Sequence, residues 1–109
     1  MILLSPEQKA IVERLLAKHV PGVEVRAFGS RVNGTAKNTS DLDLVIVESK
    51  KLPWEILNRL QEAFEESTLA FRVDLMDWQR LDESFRAIIE KNSIIIQTAG
   101  SLNTYPHLE

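Results

Sequence analysis

The chain has 109 residues, 44% of them apolar and 27% charged, and this length and composition predict one globular domain. Its net charge of −3 and its scattered basic residues argue against direct nucleic-acid binding, which needs a basic face. The lack of cysteine excludes disulfides and thiolate chemistry. The sequence shows neither a signal peptide pattern nor an apolar run of ~18 residues, so we expect a cytoplasmic location without membrane contact.

The first predicted helix starts at residues 5–8, Ser-Pro-Glu-Gln. Serine is a favoured helix cap, proline suits the first turn, and Gln8 can complete a capping box with Ser5. Apolar residues then form one stripe, and Val-Pro-Gly at 20–22 ends the helix. A short apolar strand over 23–28 follows.

Helices and strands alternate through the second half of the chain. A helix is predicted over 53–66, a strand over 71–76, a helix over 83–92 and a last strand over 93–97. We expect one domain over residues 1–98 and a frayed polar tail over 99–109. The residues that the two helices should bury are Ile56, Leu57, Leu60 and Phe64 in the first, and Phe85, Ile88 and Ile89 in the second, which Asp82 caps.

The most informative stretch is 29–44, GSRVNGTAKNTSDLDL. Side chains alternate across a strand, so Asp41 and Asp43 project from one face, roughly 6.6 Å apart along it. That spacing suits divalent cations ~3.5–4 Å apart, as used in phosphoryl transfer. Oxygen ligands with room left for water are what Mg²⁺ prefers. Alone, however, Asp-Leu-Asp is most often a solvated strand start.

Three further features favour a functional site. The apolar residues follow the two acids, so the acids stand at the mouth of a buried strand. Gly29 and Ser30 open a brief helix over about 30–36, where glycine lets backbone approach a phosphate and the helix N-terminus offers N–H groups. Asp74 is a further acid, flanked by apolar residues in the strand over 71–76.

Strand parity predicts that the acids of both strands share one face, if helices cover the opposite face. The acids concerned are Asp41, Asp43 and Asp74. The same open face would also show the apolar residues Val45, Val47 and Met76. Such residues around an acidic cleft suggest a partner surface, although a small apolar patch can simply be exposed.

At this point the chain resembles a known family. Gly-Ser, ten residues, Asp-x-Asp and a distant apolar-Asp-apolar resemble the nucleotidyltransferase core of the DNA polymerase β superfamily. With Gly34 and the block Ser40-Asp41-Leu42-Asp43-Leu44, the chain is similar above all to the minimal nucleotidyltransferase (MNT) proteins of bacteria and archaea. The resemblance implies an α+β, two-layer fold with a small mixed β-sheet and helices packed on one face.

The resemblance implies an enzyme that transfers a nucleoside monophosphate, here AMP from ATP, to a hydroxyl and releases pyrophosphate. Two Mg²⁺ ions are implied, held by the three acids, and Asp74 could also take the hydroxyl proton. The β- and γ-phosphates are implied to bind Gly29 and Ser30. Arg31 and Ser40 are further candidate phosphate ligands, and a surface role for Arg31 stays open.

Other polar and aromatic residues have simpler interpretations. Arg72 could pair with a carboxylate or with the nucleotide, or form a plain salt bridge. Trp54 and Trp78 are predicted to pack in the fold rather than to stack on a base. Asp77, just beyond the third strand, is predicted to be a turn or capping acid.

No region of the chain is evident for holding the acceptor. The resemblance implies a small helical partner of the HEPN type in a hetero-oligomer, where an MNT protein acts as antitoxin by binding the HEPN ribonuclease or by adenylylating a tyrosine on it. Two alternatives stay open: a non-catalytic antitoxin that acts by occlusion, and half of an antibiotic-modifying enzyme. A haloacid dehalogenase-type phosphatase is disfavoured because its apolar strand precedes the first acid, and a calcium loop lacks the further ligands it needs.

Overall fold

A computed structural model describes residues 2–100. The tail predicted for 99–109 therefore lies outside the described residues from 101 onward. The elements run in the predicted order, with boundaries that differ from the predicted ones by at most three residues. They are α1 (Pro6–His19), β1 (Glu24–Phe28), α2 (Ser30–Asn33), β2 (Leu42–Val47), α3 (Trp54–Glu65), β3 (Val73–Asp77), a 3₁₀ turn (Trp78–Arg80), α4 (Glu83–Lys91) and β4 (Ser93–Gln97).

The four strands form one mixed sheet in the order β3-β2-β1-β4. β1 is antiparallel to both β2 and β4, whereas β2 and β3 are parallel and connected through α3. A parallel pair needs such a crossover, because its second strand must start at the same end of the sheet as the first. The predicted α+β class and the mixed sheet are confirmed.

The main core lies between one face of the sheet and the helices α1 and α3. Leu42, Leu44 and Ile46 are fully buried on this face of β2, as strand parity predicted. The helix stripes pack against them: the residues contributed are Val12, Leu15 and Leu16 from α1, and Ile56, Leu57, Leu60 and Phe64 from α3. The start of α1 is also as predicted, since Ser5 and Gln8 form a reciprocal capping box.

The second face of the sheet is not open in the way that the sequence suggested. α4 lies over part of it, and Phe28, Val45 and Ile89 form a second buried cluster. Val45 is fully buried, so the prediction that it is exposed on this face is wrong, whereas Val47 and Met76 are only partly buried. The prediction for Ile88 is also wrong, because 63% of it is exposed while its neighbour Ile89 points inward.

The last residue of β3, Asp77, is a buried acid. Asp77 accepts hydrogen bonds from the backbone N–H of Leu52 (2.8 Å) and of Gln79 (3.0 Å), and it is ion-paired with Arg80. The turn and capping role predicted for Asp77 is confirmed. The guanidinium of Arg80 in turn lies 4.1 Å from the ring centre of Trp54. Trp54 is 63% exposed, so its predicted packing is limited to this surface contact. Among residues 2–100, no helix is long and apolar enough to cross a membrane.

Candidate active site

Two acids from neighbouring strands lie side by side. Asp43 of β2 and Asp74 of β3 are register partners in the parallel pair, so their side chains leave the same face of the sheet. Asp41 directly precedes β2 and has the same parity as Asp43. The structure therefore brings together the three acids that the sequence singled out, from two separate segments.

Arg72 links the outer two acids. Its guanidinium lies 3.1 Å from a carboxylate oxygen of Asp41 and 3.2 Å from one of Asp74. These two carboxylates raise the pKa of Arg72 above its ordinary value. Two thirds of the arginine side chain is nevertheless exposed to solvent, so the bridge is held weakly and can open.

The surroundings of Asp43 disfavour the charged form of its carboxyl group. Partial burial raises its pKa, and the neighbouring charges of Asp74 and Asp41 raise it further, while Arg72 opposes the shift. Like charges close together favour a proton or a bound cation. The cluster thus has the properties of a site that attracts positive charge.

Gly29 brings backbone against Asp43. Its φ of +81° and ψ of −156° belong to a region that only glycine occupies readily. A Cβ at this position would lie 2.4 Å from Oδ2 of Asp43, so no larger residue fits without displacing that carboxylate. The sequence predicted a glycine for close approach to a phosphate; the structure shows in addition that the residue makes room for the acid. Ser30, the first residue of α2, lies next to it.

Arg31 does not lie where a phosphate ligand should. Its side chain is buried and donates to three backbone carbonyls, those of Leu3 (2.8 Å), Asn38 (3.0 Å) and Ser40 (2.9 Å). Its guanidinium also lies 4.0 Å from the ring centre of Phe71. The predicted phosphate contact is therefore wrong for this residue, and so is the surface alternative. Arg31 is a structural residue that fixes the loop leading to Asp41.

Ser40 is part of the same loop. Its hydroxyl accepts a hydrogen bond of 2.8 Å from the backbone N–H of Lys37, and its own N–H donates to the carbonyl of Lys37. These bonds close a turn just before the acids. The contacts of Ser40 thus explain the shape of the loop, and they give no support to the predicted phosphate contact.

Sequence reasoning missed an apolar groove that begins at Gly29. The groove has a volume of about 260 Å³. Most of its lining residues are apolar and two are asparagines, the full set being Phe28, Gly29, Asn33, Phe85, Ile88, Ile89 and Asn92. The exposed position of Ile88 could not be foreseen, because the helix pattern alone put it in the core.

The acids are suited to a cation but are not arranged as a finished metal site. Within residues 2–100, no three histidine or acidic side chains already stand at the spacing of metal ligands. Arg72 bridges two of the three acids instead. Their oxygen-only donors on neighbouring strands are nevertheless the type that Mg²⁺ prefers.

A mixed sheet with acids at the mouth of two parallel strands, beside a Gly-Ser helix start, is an arrangement suited to nucleotidyl transfer. The family model described as "Polymerase beta, Nucleotidyltransferase" matches residues 12–100. The chain belongs to this family.

Known relatives agree with this assignment. The chain is 49% identical over 94 residues to the Probable protein adenylyltransferase MntA of Haemophilus influenzae, covering 86% of this chain and 82% of that protein. A crystal structure of a toxin–antitoxin with AMP-PNP matches with a TM-score of 0.64 at 21% identity, over 84% of this chain and 73% of that one. A complex of a tri-AMPylated Shewanella oneidensis HEPN toxin with its MNT antitoxin matches with a TM-score of 0.57 at 18% identity, over 84% and 70%.

Proposed function

We propose that this chain is a Mg²⁺-dependent nucleotidyltransferase that moves AMP from ATP to a hydroxyl of a HEPN-type protein, as the antitoxin of a toxin–antitoxin pair in the cytoplasm. The observation that carries the proposal is the pairing of Asp43 with Asp74 on parallel strands, with Gly29 against Asp43. The names of the relatives support the finer points, since one is an adenylyltransferase and another is bound to an AMPylated HEPN toxin.

In the proposed reaction, the acceptor oxygen forms a bond to the α-phosphorus of ATP. The bond between that phosphorus and the oxygen bridging to the β-phosphate breaks, and pyrophosphate leaves with the electron pair. Asp74 accepts the proton of the attacking hydroxyl. Backbone N–H groups at Gly29 and Ser30 hold the β- and γ-phosphates, because the start of a helix offers donors to an anion.

The residues that would hold Mg²⁺ are Asp41, Asp43 and Asp74. Asp43 and Asp74 are register partners, and Arg72 bridges Asp41 and Asp74, so the three carboxylates lie close enough to attract a cation. Partial burial and the charges of Asp74 and Asp41 raise the pKa of Asp43, which is consistent with such a site. Bound Mg²⁺ supplies charge neutralisation to the phosphates and lowers the pKa of the attacking hydroxyl. Arg72 must release Asp41 and Asp74 before these acids turn to a metal ion, and its exposure allows this.

The test is transfer of labelled AMP from ATP to the purified HEPN-type partner in the presence of Mg²⁺. We expect the wild-type chain to label its partner, and Asp41→Asn or Asp43→Asn to abolish labelling. Asp82→Asn is the matched control, because Asp82 is an exposed helix cap remote in sequence from the acids, and asparagine caps a helix about as well as aspartate. Transfer that survives the changes at Asp41 and Asp43 would remove the catalytic assignment.

A second measurement separates catalysis from occlusion. The Asp41/Asp43 double variant is co-expressed with the toxic partner, and growth is compared with that given by the wild-type chain. If neutralisation needs AMP transfer, the double variant leaves the cells poisoned. Full protection by a variant that no longer transfers AMP would show that binding alone neutralises the partner.

A further inference from the structure

The apolar groove beside Gly29 has no role in the phosphate chemistry. Its walls are the rings of Phe28 and Phe85, which meet edge to face with their centres 6.0 Å apart, together with the aliphatic side chain of Ile88. None of its lining residues is charged. A triphosphate would gain nothing from such walls, whereas a neutral planar group can bury its faces against them.

We propose that this groove binds the base of the nucleoside triphosphate whose phosphates lie at Gly29; the proposal rests on the proposed function. Gly29 belongs to both places, because it lines the groove and a Cβ on it would meet the carboxylate of Asp43. A nucleotide held by its phosphates at Gly29 therefore has the groove directly beside it.

Size and polarity both match a base. The volume of about 260 Å³ is below the roughly 300–1,000 Å³ of pockets that enclose a whole drug-sized ligand, so it suits one part of the nucleotide. Asn33 and Asn92 are the two residues of the lining with polar side chains. Asparagine can donate and accept at once, and it pairs well with the N6 and N7 edge of adenine.

Ile88 is the residue on which the proposal can be tested without unfolding the protein. It lies on α4 with 63% of its surface exposed, so the folded chain gains little from burying it. A bound base would cover it. Ile95 on β4 is a matched control, since it is also an exposed isoleucine, at 49%, and it does not line the groove.

The experiment compares two ligands, ATP and inorganic tripolyphosphate, each titrated with Mg²⁺ into the full chain by calorimetry. Wild-type chain should bind ATP at least about tenfold more tightly, because only ATP brings an apolar group to bury. Ile88→Ala should weaken ATP binding by roughly three- to tenfold through lost apolar contact and leave tripolyphosphate unchanged. Ile95→Ala should change neither ligand.

Other results have distinct meanings. If neither ligand binds the wild-type chain, the proposed function fails and the groove loses its ligand with it. If both ligands bind equally tightly and Ile88→Ala alters neither, the phosphate site stands and the groove proposal is overturned. If Ile88→Ala leaves ATP binding intact but weakens labelling of the partner, the groove belongs to the acceptor protein, and the base assignment is again overturned.

Discussion

Replacing Gly29 by alanine separates the two demands that the site makes on this residue. The first is backbone conformation: φ +81° and ψ −156° cost a residue with a Cβ about 1–3 kcal/mol. The second is space, because the new Cβ would lie 2.4 Å from Oδ2 of Asp43, where ordinary contact begins at 3.4 Å. Asp43 must therefore move by about an ångström or rotate away.

Gly34→Ala is the control for the first demand alone. Gly34 also has a positive φ, +89°, but a Cβ there would meet nothing within 4 Å. Its variant should lose about 1–2 kcal/mol from backbone strain. With 4–8 °C per kcal/mol for a small domain, the melting temperature of Gly34→Ala should fall by roughly 5–15 °C. Gly29→Ala should melt at that temperature or below it.

The decisive difference lies in activity. A misplacement of about 1 Å in a reacting group can cost on the order of 100-fold in rate, so Gly29→Ala should lose AMP transfer by about that factor. Gly34→Ala should keep near wild-type transfer when assayed well below its melting temperature. Both are measured by thermal unfolding and by labelling of the partner with AMP. Equal transfer by the two alanine variants would refute the claim that the glycine makes room for Asp43.

Three further predictions concern charge. In metal-free buffer, Asp43→Asn should raise the melting temperature at pH 7. The pKa of Asp43 in the folded chain is raised above 3.8, so the wild-type chain loses stability as the pH rises from 3.8 through that raised pKa, and the asparagine variant does not. A variant less stable than wild type at pH 7 would contradict the sign of this effect. Arg72→Ala should change the melting temperature little, but it should lower the Mg²⁺ concentration needed to stabilise the chain, because the guanidinium no longer competes with Mg²⁺ for Asp41 and Asp74. An unchanged Mg²⁺ requirement would show that the arginine does not compete. Asp77→Ala should lower the free energy of unfolding, measured in urea, by roughly 3 kcal/mol, because it leaves the N–H of Leu52 and the charge of Arg80 without their acceptor. A loss below about 1 kcal/mol would show that Asp77 does not stabilise the fold through these contacts.

Local signals in the sequence were enough to predict most of the fold. The capping box of Ser5 and Gln8 and the cap at Asp82 are bonds between residues three apart, so the sequence contains both partners. Strand parity is equally local, and it correctly placed Leu44 in the main core and Asp43 on the opposite face. The grouping of the acids followed from parity once two strands were taken as neighbours.

The second face of the sheet could not be predicted in this way. Parity states which side chains share a face, but it does not state whether a helix covers that face. Whether Val45 is buried depends on where α4 comes to rest, and this is decided by packing against Phe28. The same reason explains Ile88 and Ile89. Neighbouring helix residues differ by about 100° in direction, so a narrow contact buries one of them and exposes the other.

The arginines show why residue type alone does not assign a role near an acidic site. Arg31 follows the Gly-Ser pair and Arg72 precedes Asp74, and both are within electrostatic reach of Asp41. Arg31 is buried with three carbonyl acceptors, so removing it from its position would leave those groups unpaired. Arg72 is exposed and bound only to carboxylates that a metal ion can also bind. The buried arginine therefore fixes the loop that presents the acids, whereas the exposed one balances their charge and can give way to a cation.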